Sequence, residues 1–128
     1  MKINLLEATF IIPIRIESPD RLRNVVTTTA FLMENFNTNI IIKEVDSEPV
    51  FQRDAIPLLE EILDLNIWQT NFNYIYEKSD DPLFHRQRIL NEMIIESDTH
   101  IVVNYDADAI LPKESYELAY KGIIDLLL

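Results

Sequence analysis

Residues 9–14 read TFIIPI and are followed, after Arg15, Ile16 and Glu17, by the tripeptide Ser18-Pro19-Asp20. The first run is short, apolar and rich in β-branched residues, which predicts a buried strand. The tripeptide is typical of a helix start: a hydroxyl caps the first turn, proline has no N–H to lose, and an acid suits the positive end of the helix. A strand that leads at once into a helix indicates an α/β fold.

The same alternation continues along the chain. We predict helices over 18–36, 54–63, 81–97 and from Pro112 onward, and further strands over 39–45, 71–76 and 100–105. Such continuously apolar strands are typical of a parallel sheet covered by helices on both faces. Ligands of these sheets bind at the carboxyl ends of the strands. The segments to consider are therefore 13–17, Asp46, 77–81 and 106–108.

Composition excludes several classes of function. The chain has 128 residues, enough for one domain, and 48% of them are hydrophobic, enough for a core. Its net charge of -11 argues against nucleic-acid binding. Its single glycine, Gly122, excludes a Walker loop and a dinucleotide-binding fingerprint, which both need several. The absence of cysteine excludes disulfides, thiolate catalysis and cysteine-ligated zinc.

The two ends of the chain bear on its location. The N-terminal apolar run is broken by Asn4 and Glu7, unlike a secretory signal, and no stretch approaches the ~20 apolar residues of a membrane span. We expect a cytoplasmic protein with no transmembrane segment; peripheral membrane association is compatible with this. The last helix ends in three leucines, 126–128, which suggests a longer protein or docking on a partner, such as a second copy in a homodimer.

Asp106 and Asp108 follow the predicted strand 100–105 directly. Where a strand opens into a loop, two carboxylates separated by one residue can converge on one point, and their repulsion is relieved by a cation. Mg²⁺ and Mn²⁺ prefer such oxygen ligands and keep positions for phosphate oxygens. We predict a metal site here that binds a diphosphate. The alternative is that both are loop carboxylates that form turns or cap the helix after Pro112.

Three segments together resemble the galactosyltransferase-like group of inverting GT-A glycosyltransferases. Residues 10–15 look like the group's first-strand motif, 84–91 is similar to its Phe-Asn-Arg-Ala-Lys-Leu-Leu-Asn segment, and 106–112 correspond to its Asp-Val-Asp followed by proline. The resemblance covers residues 9–112, the donor half of such an enzyme. It implies a GT-A fold, a truncated three-layer sandwich around a mostly parallel sheet. Ile14, Glu17 and His85 depart from the group's pattern.

The resemblance also implies roles for individual residues. It places Pro13 and Arg15 in the nucleotide pocket, Asp46 at the uracil or ribose, Arg86 at the base or diphosphate, and Asp106 and Asp108 at ribose and metal; Glu17 and Asn91 are further expected donor-binding residues. Its donor is a nucleotide sugar, with UDP the expected nucleotide, its acceptor a saccharide, and its cofactor Mn²⁺ or Mg²⁺. The general base of the family lies after the metal motif, so we expect it beyond Leu128.

Two other functions remain open at this stage. A non-catalytic module could keep the fold and serve in assembly or sensing. Dehalogenase-type phosphatases also carry Asp-x-Asp after an apolar strand, but on their first strand, and only twenty residues follow Asp108 here. The leading expectation is therefore donor binding by a metal-dependent glycosyltransferase that builds a polysaccharide.

Overall fold

The computed structural model describes residues 2–127, which form four strands and four α-helices in strict alternation. The strands are β1 (Ile3–Ile14), β2 (Phe36–Asp46), β3 (Phe72–Lys78) and β4 (Ile101–Asn104); the helices are α1 (Pro19–Asn35), α2 (Ile56–Leu63), α3 (Arg86–Glu96) and α4 (Lys113–Leu127). A π-helical turn, Phe51–Ala55, leads into α2, and a 3-10 turn, Ile67–Gln69, follows it.

The strands form one sheet in the order β3-β2-β1-β4, and every pair in it is parallel. From β1 the chain moves outward through β2 to β3 and then returns to place β4 on the other side of β1. The strand order therefore reverses between β1 and β4, where Ile11 lies beside Asn104. In open parallel sheets, the crevice at the carboxyl ends of such a pair is the usual ligand site.

Helices cover both faces of the sheet. On one face, alternate strand residues such as Phe10, Ile12 and Ile42 pack against α1 and α2, with Tyr116 of α4 at the margin of the same core. On the other face, their neighbours pack against Ile89 and other residues of α3. This three-layer α/β arrangement with an entirely parallel sheet confirms the predicted class and is compatible with a Rossmann-like sandwich.

The predicted segments are found, with shifted boundaries. β1 begins at Ile3 and not at residue 9, and Leu5 in its added N-terminal part is buried. The pairing of β1 with β2 has an irregularity between Asn4 and Thr9. Ser18 caps α1 as predicted, its hydroxyl accepting from the Arg21 amide at 3.1 Å. β2 begins at Phe36 because that residue is already extended where α1 ends.

The prediction of a helix from 81 is wrong by five residues. The Asp81 carboxylate accepts from the Leu83 amide at 2.9 Å, and the Arg86 amide donates to the Phe84 carbonyl at 2.9 Å. These local bonds form turns, so Asp81-Pro82 starts a loop and α3 begins only at Arg86.

Two expectations about the ends of the chain can be compared with the structure in part. Within residues 2–127, no helix is long and apolar enough to cross a membrane. Leu126 is 86% exposed, whereas Leu128 lies outside the described residues.

Candidate functional site

A cleft lies where the carboxyl ends of β1 and β4 meet. The pairing of the two strands is extended one residue past β4, since the Tyr105 amide donates to the Ile11 carbonyl at 3.1 Å. The cleft has a volume of about 150 Å³ and is lined by Pro13, Ile14, Arg15, Glu17, Arg21, Phe84, Arg86, Asp106 and Ala107. It brings together five of the sequence-predicted site residues: Pro13, Arg15, Glu17, Arg86 and Asp106.

Arg15 is the most constrained charged residue of the cleft. It follows β1 directly and is only 9% exposed. Its Nε donates to the Val45 carbonyl at 2.8 Å and its Nη1 to the Asp81 carbonyl at 2.9 Å, while its guanidinium lies 5.5 Å from the centre of the Phe84 ring. Its Nη2 is buried and has no partner among the described residues. A buried donor without an acceptor is costly, so this atom is suited to a ligand oxygen.

Arg86 enters the cleft from the other side of the sheet. As the first residue of α3 it is held beside the end of β4, where its Nη2 donates to Asn104 Oδ1 at a long 3.3 Å. Its side chain is exposed and free of carboxylate partners among the described residues. It can therefore turn toward a ligand without breaking an ion pair.

Three of the eleven basic side chains of the chain line this one cleft: Arg15, Arg21 and Arg86. The chain as a whole has a net charge of -11 and repels anions at long range. A guanidinium presents forked donors that fit phosphate and carbonyl oxygens. The three guanidinium groups outnumber the two carboxylates of the lining, Glu17 and Asp106, so the cleft suits an anionic group.

The loop after β4 is folded tightly onto α1. The Asp108 amide donates to Asp106 Oδ1 at 3.0 Å, which makes a turn of residues 106–108. The buried Thr28 hydroxyl donates to the Ala107 carbonyl at 2.5 Å, and Ala107 is 8% exposed. The side chain of Asp106 remains exposed at the cleft. Residues 106–108 therefore form a turn, as the alternative interpretation of this segment predicted, and the contact with α1 fixes the loop that carries both aspartates.

Asp108 lies apart from Asp106, against α1. Its Oδ2 accepts from Arg21 Nη1 at 2.5 Å and its Oδ1 from Asn24 Nδ2 at 3.2 Å. Among the described residues no group of three or more His, Cys, Asp or Glu side chains is arranged to hold a metal ion. Of the predicted pair of metal-binding carboxylates, Asp106 thus lines the cleft, whereas Asp108 is engaged by Arg21 and Asn24.

A second, shallower cleft adjoins the first along the ends of β2 and β3. It has a volume of about 420 Å³ and shares Arg15 and Glu17 with the first cleft; its other lining residues are Asp46, Ser47, Ser79, Asp80, Asp81 and Pro82. The predicted Asp46 therefore lies at the same carboxyl edge of the sheet as Arg15. Its Oδ1 accepts from the Ser47 amide at 2.7 Å.

Asp81 is the carboxylate of this second cleft with a perturbed acidity. The hydrogen bond from the Leu83 amide, and then that from His85, lower the pKa of Asp81 below its usual range. Hydrogen bonds within the loop therefore stabilise the charged form of Asp81. The backbone carbonyl of the same residue accepts from Arg15.

Two predicted site residues line neither cleft: Asp108, which is described above, and Asn91. Asn91 lies on the exposed surface of α3, where its Oδ1 accepts from Gln87 at 3.3 Å. The sequence interpretation also missed Arg21, Asn24 and Thr28. Their spacing of three and four residues places them on one face of α1, and a helix that directly follows β1 turns one face toward the loop after β4. That spacing was the signal that could have found them.

A cavity of about 420 Å³, as large as the second cleft, lies at the opposite edge of the sheet, beside the amino ends of β2 and β3. Its lining includes Lys2, Asn37 and Asn71. Lys2 is its single charged lining residue. We place the candidate site at the carboxyl edge because the arginines, the aspartates and the buried unpaired Arg15 donor are gathered there.

Comparison with known proteins adds no relative. No protein-family model matches the chain, and neither the curated proteins nor the solved structures gave a match.

Proposed function

We propose that the chain binds the nucleotide-sugar donor of a metal-dependent, inverting glycosyltransferase with a GT-A fold, with a UDP-sugar as donor and a saccharide as acceptor. The observation that carries the proposal is the gathering of Arg15, Arg21 and Arg86 with Asp106 in one cleft where β1 and β4 end. The likeness of segments 10–15, 84–91 and 106–112 to the galactosyltransferase-like group is a second, independent support.

Each side chain of the cleft has a distinct task in this proposal. The free Nη2 of Arg15 donates to a carbonyl or phosphate oxygen of the nucleotide, and Phe84 keeps that guanidinium in place. Arg86, which has no carboxylate partner within residues 2–127, turns from Asn104 to the diphosphate. Asp46, on the adjoining cleft, accepts from the uracil or ribose.

The chemistry of the two aspartates fits a hard divalent cation. Asp106 keeps Oδ2 without a hydrogen-bond donor among the described residues, and carboxylate oxygens are the ligands of Mg²⁺ and Mn²⁺. When bound, the cation neutralises charge on the leaving diphosphate. Asp106 fits this role as it stands, and Asp108 fits it once its contact with Arg21 is released.

Calorimetric titration with UDP, with and without Mn²⁺, tests the proposal. We expect Mn²⁺ to strengthen UDP binding, and Asp106→Asn or Asp108→Ala to weaken the Mn²⁺-dependent affinity by about tenfold or more. Asp98→Ala is the matched control, because Asp98 is an exposed aspartate at the amino edge of the sheet. Equal UDP affinity in all four proteins, or no UDP binding at all, would refute donor binding at this cleft.

A non-catalytic assembly or sensing module is the second candidate, and one observation favours it. Both carboxylate oxygens of Asp108 are already engaged, by Arg21 and Asn24, as expected of a loop that only has to be held in place. In that case Mn²⁺ has no effect on UDP affinity, while Asp108→Ala lowers the melting temperature of the protein because the loop loses its contacts with Arg21 and Asn24.

A further inference from the structure

Arg21 lies between the carboxylate of Asp108 and the cleft at the ends of β1 and β4. Its guanidinium pairs with Asp108, yet the same side chain lines the cleft together with Arg15 and Arg86. The ion pair is open to water, with 48% of the Arg21 side chain and 38% of the Asp108 side chain exposed. Ion pairs this exposed are weak. The contact is therefore one that a stronger ligand can replace.

Arg21 and a metal ion would compete for the carboxylate of Asp108. The guanidinium occupies Oδ2 at 2.5 Å and Asn24 occupies Oδ1 at 3.2 Å. A divalent cation at either oxygen would lie within a few ångströms of the guanidinium and be repelled by it. A cation on Asp108 is thus bound more tightly once Arg21 has left the carboxylate.

A released Arg21 has a use within the cleft. Its neighbour Arg15 presents a buried Nη2 that has no acceptor among residues 2–127 and is therefore suited to a ligand oxygen. The cleft is lined by three guanidinium groups and by the carboxylates of Glu17 and Asp106. An anion bound there would give Arg21 a partner to replace the one it loses.

We propose that Arg21 exchanges partners: it blocks Asp108 in the free protein, and moves to the diphosphate when a divalent cation takes its place on the carboxylate. This inference rests on the proposed donor-binding function and deepens it. Each ligand then removes an obstacle for the other, because the cation frees Arg21 for the anion and the anion draws Arg21 from the cation site. Cation and nucleoside diphosphate therefore bind cooperatively, and the coupling is reciprocal.

Binding of Mn²⁺, followed by electron paramagnetic resonance of the free ion with and without UDP and corrected for the Mn²⁺–UDP complex in solution, tests the exchange. Arg21→Gln removes the blocking charge. We expect it to bind Mn²⁺ about five- to tenfold more tightly than the wild type in the absence of UDP, and to gain correspondingly less from UDP. Arg21→Lys keeps a cation at Asp108 and should behave like the wild type.

Arg23→Gln is the matched control, because Arg23 lies on the same helix and pairs with the exposed Asp20 instead. Mn²⁺-dependent UDP binding in the wild type, combined with equal Mn²⁺ affinities of Arg21→Gln and Arg23→Gln, overturns the exchange and leaves donor binding intact. Weaker Mn²⁺ binding by Arg21→Gln also overturns it, since Arg21 would then merely position Asp108. If neither the wild type nor Arg21→Gln binds Mn²⁺, the exchange and the metal-dependent function fail together.

Discussion

The hydroxyl of Tyr74 on β3 donates to the carboxylate of Glu44 on β2 at 2.7 Å, in the interior of the protein. Glu44 is fully buried, and both of its oxygens also accept from the Phe51 amide at 3.1 Å, at the start of the helical segment that continues into α2. A carboxylate is thus the acceptor that joins two neighbouring strands to a helix start. It lies close below the rim that carries Asp46.

Burial raises the pKa of Glu44 above the ordinary glutamate value of 4.5, although the hydrogen bonds from Tyr74 and Phe51 oppose the shift. The folded protein therefore holds the Glu44 proton more tightly than the unfolded chain. The stability that this proton contributes is complete below pH 4.5 and is lost as the pH rises through the folded pKa.

Glu44→Gln should remove this pH dependence. At pH values below the ordinary glutamate pKa we expect it to cost about 1 kcal/mol of unfolding free energy, since the amide replaces a neutral carboxyl of similar shape imperfectly. The difference from the wild type should shrink as the pH rises. Urea unfolding at several pH values measures it, with the exposed Glu61→Gln as control. A difference that grows with pH would show that the charged form of Glu44 is the stabilising one.

The alternation of strands and helices could be predicted from the sequence because each element depends on a local pattern of residues. Apolar runs such as 40–42 and the cap at Ser18 depend on neighbours in the chain, and both appear in the structure. Glu44 could not be predicted as buried, because its burial depends on Phe51 and Tyr74, which reach it only in the folded sheet. The same holds for the N-terminal half of β1, where polar residues hide a strand whose Leu5 is buried.

The sequence predicted the edge of the sheet at which the candidate site lies, but not the contacts within the site. Parallel strands end at one edge, so Arg15 and Asp106 could be expected near each other, and both line the cleft. The partners of side chains could not be predicted in this way. The Arg21–Asp108 pair joins residues 87 positions apart in the chain. The spacing along α1 indicates the helix face on which Arg21 lies, but it does not indicate the residue with which Arg21 pairs.

Arg86→Ala should weaken UDP binding without affecting stability. Arg86 is exposed, and the one hydrogen bond that its side chain makes within residues 2–127, to Asn104, is long at 3.3 Å. We therefore expect unfolding free energy to change by less than about 0.5 kcal/mol, and UDP affinity in the presence of Mn²⁺ to fall by about tenfold, measured by calorimetry.

Arg88→Ala provides the comparison for Arg86, because it lies two residues further along α3 and pairs with Glu77 and Glu92 outside the cleft. It should leave UDP affinity within about twofold of the wild type. Equal losses of affinity in both variants would indicate a general effect of charge, and would contradict a specific contact from Arg86.

Thr28→Val should loosen the loop after β4. The change keeps the shape of the side chain but leaves the buried Ala107 carbonyl without its donor, which we expect to cost about 1–2 kcal/mol of unfolding free energy. Hydrogen exchange at the Ala109 amide, which donates to the Asp106 carbonyl, should become faster.

Thr27→Val is the control for Thr28. Thr27 is exposed, and its hydroxyl donates within the helix to the Arg23 carbonyl. Its replacement should leave exchange at Ala109 unchanged and alter the unfolding free energy by at most about 0.5 kcal/mol. Unaltered exchange at Ala109 in Thr28→Val would mean that α1 does not hold the loop.

The location of nucleotide binding is the central claim, and an amide NMR titration of the ¹⁵N-labelled chain with UDP and Mg²⁺ tests it most directly. We predict that the largest shift changes fall on residues 14–17, 84–86 and 104–108, around the cleft between β1 and β4. Asp106→Asn should reduce them. Shift changes concentrated at the amino edge of the sheet, around Asn37 and Asn71, or no changes at saturating UDP, would contradict the account.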